Sequence, residues 1–152
     1  MRPFVAAGAG FLLAVLWFDL MFDVQVARYP ARPPDELPES VLASIGAYYR
    51  RVTTTARPMN RLVAAVMVAT LGSIIAQIAR GERPSWVGWV SLALATGPIL
   101  LAASHTVPGA VRLGARTDSM LQQSQLARSI WRDHVLCATA IVALLVVQLS
   151  SA

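Results

Sequence analysis

Lysine is absent from this sequence of 152 residues, cysteine occurs once, and only 14% of the residues are charged. The single cysteine, Cys137, excludes a disulfide within the chain, and it lies in an apolar run where a thiolate would be poorly solvated. We therefore interpret it as a packing residue. The scarcity of charge, with 56% hydrophobic residues and a mean hydropathy of +0.57, excludes an ordinary soluble domain of this size.

The net charge of +5 comes from arginine, which supplies all thirteen basic residues. A nucleic-acid-binding protein gathers its basic residues around a soluble fold, whereas here they lie between long apolar runs. We therefore expect no nucleic-acid partner. The positive charge instead indicates how the chain is oriented in a membrane.

Four apolar runs are long enough to cross a hydrocarbon core, which takes about 20 residues of helix. Every backbone polar group inside lipid must be paired, so each run is predicted to be a helix. Short connections favour antiparallel neighbours, and glycine followed by proline in the 80–84 turn predicts a tight hairpin. The predicted fold is all-α, an antiparallel four-helix transmembrane bundle in a single domain, 1–152. Its spans are 4–22, 59–79, 86–107 and 131–149.

The two longer connections have structure of their own. Residues 28–38 include four prolines, which favour extended conformations and exclude a regular helix. Apolar residues then recur at helical spacing over 39–56, predicting an interfacial helix with Tyr48 and Tyr49 at headgroup depth. The second connection begins at Pro108. Within it, Thr117 or Asp118 would be the N-cap of a polar helix that forms a cytoplasmic extension of the fourth span.

The arginines are distributed unequally between the two sides of the predicted bundle. The amino terminus and the 80–85 hairpin carry three of them, and the other side carries ten. Basic loops are retained in the cytoplasm. We therefore predict a multi-pass protein of the cell inner membrane with both termini outside and the long, arginine-rich connections in the cytoplasm.

Ionisable residues near the membrane fall at one end of the predicted bundle. Asp19 and Asp23 lie four residues apart, on one face of the first helix. An ionisable group in hydrocarbon costs about 2.5–3.5 kcal/mol on insertion scales, so such residues usually face partners inside the bundle. Together these residues predict a polar pocket that opens toward the cytoplasm, with Trp17 deeper in its wall. Its other members are Asp19, Asp23, Asn60, Arg61, His105 and His134.

A purely structural interpretation of the same residues is also open. Asp19 and Asp23 would then pair with Arg61 and Arg132 and hold helices together, while both histidines would be ordinary interfacial residues. Two carboxylates and two histidines could also form a ligand set for zinc, iron or manganese. However, no local ligand spacing supports a metal, and neighbouring arginines would compete for the carboxylates. We expect neither a metal nor a cofactor, and the sequence contains no glycine-rich phosphate loop.

Several short motifs follow one another in a characteristic order. They are Tyr-Tyr-Arg-Arg at 48–51, Pro-Met-Asn at 58–60, Thr-Val-Pro with a later Arg-Leu over 106–113, and Trp-Arg-Asp-His-Val at 131–135. In this order the chain resembles the anthrone-oxygenase-like family of small four-helix membrane proteins. It departs from that family at Leu136, where an arginine often follows His-Val, and in its pair of aspartates on the first helix.

The resemblance implies a cofactor-independent oxygenase that oxidises anthrone-like phenolic substrates. Such chemistry needs a base that forms an electron-rich enolate in an apolar pocket. By this resemblance His134 is the first candidate for the base, with His105 or Asp23 second. Asn60 or Arg61 would stabilise the enolate oxygen, and the remaining pocket residues would contact a small apolar substrate.

A non-catalytic accessory or scaffold subunit is the alternative function, with cytoplasmic arginines that contact anionic lipid or a protein partner. It predicts a filled core with paired charges, whereas the enzyme predicts an open cavity bordered by His134 and Asn60. A transporter or channel formed by oligomerisation is less favoured, because the far half of the bundle offers no polar path and no inverted repeat is visible. Membrane lipid is the expected partner, and a homo-oligomer or a membrane-protein partner is left open.

Overall fold

The structure of the protein, a computed structural model, describes residues 1–29 and 36–151 without the side chain of Arg57. All regular secondary structure in these residues is helical, and a π-helical segment, Ala102–Thr106, joins α4 to α5. Most of the predicted proline-rich stretch, 28–38, lies outside the described residues. The six α-helices are α1 (Arg2–Ala27), α2 (Glu39–Thr54), α3 (Arg57–Ala79), α4 (Ser85–Leu101), α5 (Val107–Ala115) and α6 (Met120–Ser150).

Four helical stretches are long and apolar enough to cross a membrane, as the sequence predicts. The first extends well beyond its predicted end at residue 22, because the polar residues that follow have partners. Asp23 is bonded within the bundle, and Gln25 Nε2 lies 3.2 Å from Ser44 Oγ of α2. A helix can continue through polar residues when their side chains are satisfied by a neighbouring element.

The third stretch differs most from its prediction. The sequence predicted a connection from Pro108 onward, but the helix continues without a break from Ser85 to Ala115. A π-turn immediately precedes Pro108, and Val107 N donates to Ala102 O across it. Proline has no N–H to contribute and is tolerated in the first turn of a helix. The third helical stretch therefore continues into α5 at Pro108 and does not end there.

The polar helix predicted to lead into the fourth span is present as the first turns of α6. Its N-cap is Ser119. The prediction that Thr117 or Asp118 caps this helix is therefore wrong. Ser119 Oγ accepts from Gln122 N at 3.3 Å and Ser119 N donates to Gln122 Oε1 at 3.2 Å, a reciprocal capping box. The 31 residues of α6 span about 46 Å at 1.5 Å per residue, more than the hydrocarbon core of about 30 Å.

The four long helices form a ring in which α1 and α4 each contact both α3 and α6. One apolar cluster fills the half of this bundle that includes Val5, Ile74 and Leu144. A second apolar cluster, which includes Ile45 and Leu113, lies where α2 packs against α5 and α6. Along both α1 and α6, the buried acidic and histidine residues lie between these two clusters. The short helix α2 therefore covers one end of the bundle.

Glycines allow α2 and α5 to approach each other closely. A Cβ atom added to Gly114 of α5 would lie 2.8 Å from the backbone nitrogen of Arg50 in α2. In contrast, a Cβ atom added to Gly72 of α3 would have no heavy atom within 4 Å. The contact between α2 and α5 thus depends on the missing side chain at Gly114.

This contact predicts opposite effects for two glycine substitutions. Gly114→Ala should lower the free energy of unfolding by about 1–3 kcal/mol, because backbone atoms of α2 cannot move away from the new methyl group without repacking. The matched control, Gly72→Ala, should raise it by up to about 1 kcal/mol through higher helix propensity. Thermal unfolding of the purified protein in detergent measures both. Equal midpoints for the two variants would contradict the close approach.

Candidate functional site

The most deeply buried carboxylate among the described residues lies where α1, α2 and α6 meet. Asp23 of α1 is 1% exposed, Tyr49 of α2 is 2% exposed and His134 of α6 is 7% exposed. The Asp23 Oδ2 atom lies 2.6 Å from His134 Nδ1, and Tyr49 Oη donates to Asp23 Oδ1 at 2.7 Å. Both carboxylate oxygens therefore have a partner, one from each neighbouring helix.

This arrangement determines which nitrogen of His134 is available. An ionised carboxylate can only accept hydrogen bonds, so Nδ1 must carry the proton that it shares with Asp23. The Nε2 atom of a neutral imidazole then carries a lone pair. A histidine oriented by a carboxylate in this way can accept a proton at Nε2, while the carboxylate stabilises the imidazolium that results.

Asp19 lies on the other side of the imidazole, one turn before Asp23 on α1. Its Oδ2 atom is 3.9 Å from His134 Nε2, which is too long for a hydrogen bond. Its Oδ1 atom accepts from Tyr48 Oη at 2.6 Å. The side chain of Asp19 is 19% exposed, so it lies at the edge of the cluster instead of its centre. We call Asp19, Asp23, Tyr48, Tyr49 and His134 the acid–base cluster.

The two phenols of α2 are held in their neutral form. Burial raises the pKa of Tyr48, and its hydrogen bond to Asp19 raises it further. Burial also raises the pKa of Tyr49, together with the negative charge of Asp23. Both residues therefore donate hydrogen bonds at any physiological pH. Tyr48 is further positioned by stacking on Phe22, with ring centroids 4.0 Å apart.

A second pair of ionisable residues lies nearby on different helices. Asp133 Oδ2 lies 2.6 Å from His105 Nδ1 and accepts from Thr106 Oγ1 at 2.9 Å. Both of these partners belong to the π-helical segment. Asp133 and His134 are consecutive on α6 and so point about 100° apart. Asp133 therefore faces the π-helical segment, and the histidines are divided between two clusters.

Besides His105, three other residues predicted to line a common pocket do not reach the acid–base cluster. Asn60 and Arg61 are exposed in the first turn of α3, and Asn60 Nδ2 donates to Val52 O of α2 at 2.7 Å. Trp17 is 65% exposed, because two residues of helix turn it about 200° away from Asp19. The structure therefore does not bring these three residues into the hydrogen-bonded group around His134.

The structural alternative also needs correction, because the partners of the aspartates are different from those predicted. Asp19 and Asp23 pair with tyrosines and with His134 instead of Arg61 and Arg132. Both arginines are exposed. The two exposed arginines can remain hydrated, whereas Tyr49 of α2 already lies on a buried helix face.

Sequence reasoning missed the roles of four residues: Tyr48, Tyr49, Thr106 and Asp133. For Tyr49 a signal was present, because it follows the apolar positions Val41 and Ile45 at intervals of four on α2. That spacing places the ring on the buried face of the helix. No comparable signal existed for Thr106, because the π-turn that brings it to Asp133 has no recognisable sequence pattern.

Among the described residues, no group of three or more histidine, cysteine, aspartate or glutamate side chains is arranged to hold a metal ion. Comparisons of the chain with protein-family models, with curated proteins and with solved structures find no match. The resemblance to the anthrone-oxygenase-like family therefore depends on the short motifs alone and stays a prediction.

The raised pKa values of the two phenols predict how stability changes at alkaline pH. The phenols ionise near pH 10 in the unfolded chain and at higher pH in the folded protein. Their contribution to stability is thus complete below about pH 10 and is lost as the pH rises above it. The Tyr48→Phe/Tyr49→Phe variant should lose less stability between pH 9 and pH 11 than wild type, as thermal unfolding would measure. An equal loss would contradict this assignment.

Proposed function

We propose that the acid–base cluster is the catalytic centre of an integral membrane protein that deprotonates a small apolar phenolic substrate. The proposal is carried by one observation: Asp23 holds His134 through Nδ1, at 2.6 Å, and thereby leaves Nε2 as a proton acceptor. Oxidation of an anthrone-like substrate by molecular oxygen, without a cofactor, is the reaction that agrees with this chemistry and with the sequence motifs.

In this reaction His134 Nε2 removes a proton from the methylene carbon of the anthrone and forms the enolate. Asp23 stabilises the imidazolium, and the phenol of Tyr48 or Tyr49 is a donor for the enolate oxygen. The enolate transfers electrons to oxygen, and the proton returned by His134 completes a hydroperoxide on that carbon. Loss of water from the hydroperoxide then gives the anthraquinone, so that anthrone and oxygen yield anthraquinone and water.

An apolar substrate would reach the cluster from the lipid. Phe18 and Phe22 are exposed on the same side of α1, and Asp19 between them is partly exposed. Asp19 is also the residue that approaches His134 Nε2, at 3.9 Å, so this apolar surface of α1 would adjoin the proposed proton acceptor. The Phe22 and Tyr48 rings, stacked at 4.0 Å, would have to separate for a planar substrate to enter.

The proposed orientation in the membrane is antiparallel, with α2 at the interface of the inner leaflet. Support comes from contacts that group the ends of the helices. The amino group of Met1 pairs with Glu82 at 2.8 Å, and the Arg2 guanidinium donates to the carbonyls of Arg83 and Ser151. These contacts bring both termini and the turn between α3 and α4 to one end. The acid–base cluster and the larger number of arginines lie toward the other, which we assign to the cytoplasm of a cell inner membrane.

A non-catalytic accessory subunit is the second candidate, and a specific observation favours it. Every member of the acid–base cluster has a hydrogen-bond partner inside the protein, and together these bonds connect α1, α2 and α6. Such a network stabilises a helical bundle whether or not it performs chemistry. In this function the cluster would only hold α2 against the bundle.

The first test is anthrone oxidation by the purified protein in mild detergent. Oxygen uptake and anthraquinone absorbance measure its rate. His134→Gln should reduce the rate at least about 100-fold, since a positioned general base contributes about 10²–10⁴. The matched control is His105→Gln, which removes the other imidazole from the same region of the bundle and should keep the wild-type rate. A rate loss in His105→Gln with an unchanged His134→Gln would assign the base to His105.

Stability measurements on the same variants separate the two functions. In an accessory subunit, His134→Gln and Asp23→Asn would lower the unfolding midpoint, while wild type would give no oxidation above the rate without protein. In the proposed enzyme, wild type oxidises anthrone, and Asp23→Asn loses activity even at temperatures where it remains folded. Absence of oxidation in folded wild type would reject the catalytic proposal in favour of the accessory one.

A further inference from the structure

A groove of about 600 Å³ lies between α2 and the end of α5. Its lining contains none of the residues of the acid–base cluster. Three arginines line it, Arg50, Arg51 and Arg116, with Glu39 as its acidic residue. The charged residues of the lining therefore give the groove a net charge of +2.

The backbone around this groove holds Arg116 in a defined position. Arg116 directly follows α5 with φ of 57°, a left-handed conformation that residues other than glycine seldom adopt. Its side chain crosses Gly46 of α2, where an added Cβ atom would lie 2.7 Å from Arg116 Cδ. The guanidinium reaches Glu39, to which Nη2 donates a hydrogen bond. The other terminal nitrogen, Nη1, is shielded from solvent and has no hydrogen-bond partner among the described residues.

The two arginines of α2 are also available for a ligand. Arg50 and Arg51 are adjacent, and neither guanidinium forms a hydrogen bond or ion pair within the described part of the chain. Basic residues near the end of a helix can stabilise its terminal carbonyl groups. Here, however, the carbonyls of Arg50 and Arg51 accept from the hydroxyls of Thr54 and Thr55, at 2.5 and 2.9 Å. The guanidinium groups are therefore not needed to satisfy those carbonyls.

We infer that this groove binds a phosphate group, carried either by the headgroup of an acidic phospholipid or by a soluble phosphate ester. Arginine presents paired N–H donors that match phosphate oxygens, and hydrogen bonds between charged groups are about twice as strong as neutral ones. The bound phosphate would accept from the exposed residues Arg50 and Arg51, with the positive charge of Arg116 beside them. This binding is independent of the proposed oxidation.

The first experiment measures lipid binding by mass spectrometry of the protein released from nanodiscs. The nanodiscs contain phosphatidylcholine and phosphatidylglycerol in equal amounts. Wild type should retain phosphatidylglycerol in preference, and Arg50→Gln/Arg51→Gln should lower that preference about tenfold. Arg132→Gln/Arg61→Gln is the matched control, because it removes the same charge from exposed positions outside the groove lining. The control should keep the wild-type preference.

Further arms distinguish the source of the phosphate and guard against misfolding. If the ligand is a soluble phosphate ester, inorganic phosphate should raise the unfolding midpoint of wild type but not of Arg50→Gln/Arg51→Gln. The protein released from nanodiscs should then show no preference for phosphatidylglycerol. Ala47→Glu keeps all three arginines and places a carboxylate in the groove, so it should abolish binding from either source. The inference is overturned if neither probe binds wild type. It is also overturned if Arg132→Gln/Arg61→Gln loses the preference as fully as Arg50→Gln/Arg51→Gln, or if Ala47→Glu binds phosphate as well as wild type.

Discussion

A carboxylate that is 1% exposed inside an apolar bundle must have both of its oxygens satisfied, and much of this structure follows from that constraint. An uncompensated buried charge costs several kcal/mol, more than most single packing contacts contribute. Asp23 receives one hydrogen bond from Tyr49 and shares a second with His134. Helix α2 must therefore fold back over the bundle, because the phenol that completes the site belongs to it.

The position of α2 in turn connects the two proposed sites. One face of this helix supplies Tyr48 and Tyr49 to the acid–base cluster, while another carries Arg50 and Arg51 into the groove beside α5. The close approach at Gly114 holds α2 against α5, so the contact that shapes the groove also helps to seat the phenols. A single short helix thus contributes both to the buried acid–base cluster and to the exposed, positively charged groove.

The π-helical segment divides the ionisable residues into separate groups. A wider turn at Ala102–Thr106 brings His105 and Thr106 to Asp133, and the 100° rotation between consecutive residues turns His134 the other way. The far half of the bundle has a different polar contact, in which Gln148 Nε2 donates to Gln77 Oε1 and Ser91 Oγ. Neutral amides can join helices there without burying any charge.

From the sequence alone, hydropathy was enough to identify four helices that can cross a membrane, since each has to satisfy its own backbone within lipid. The spacing of Asp19 and Asp23 also placed two carboxylates on one helix face, because that relation is local. Their partners were not predictable in this way. Asn60 and Arg61 share a predicted depth with the aspartates but point away from them, whereas Tyr49 reaches Asp23 from an element 26 residues later. Only the packing of α2 decided this, because the direction of a side chain depends on helix rotation and on the neighbouring surface.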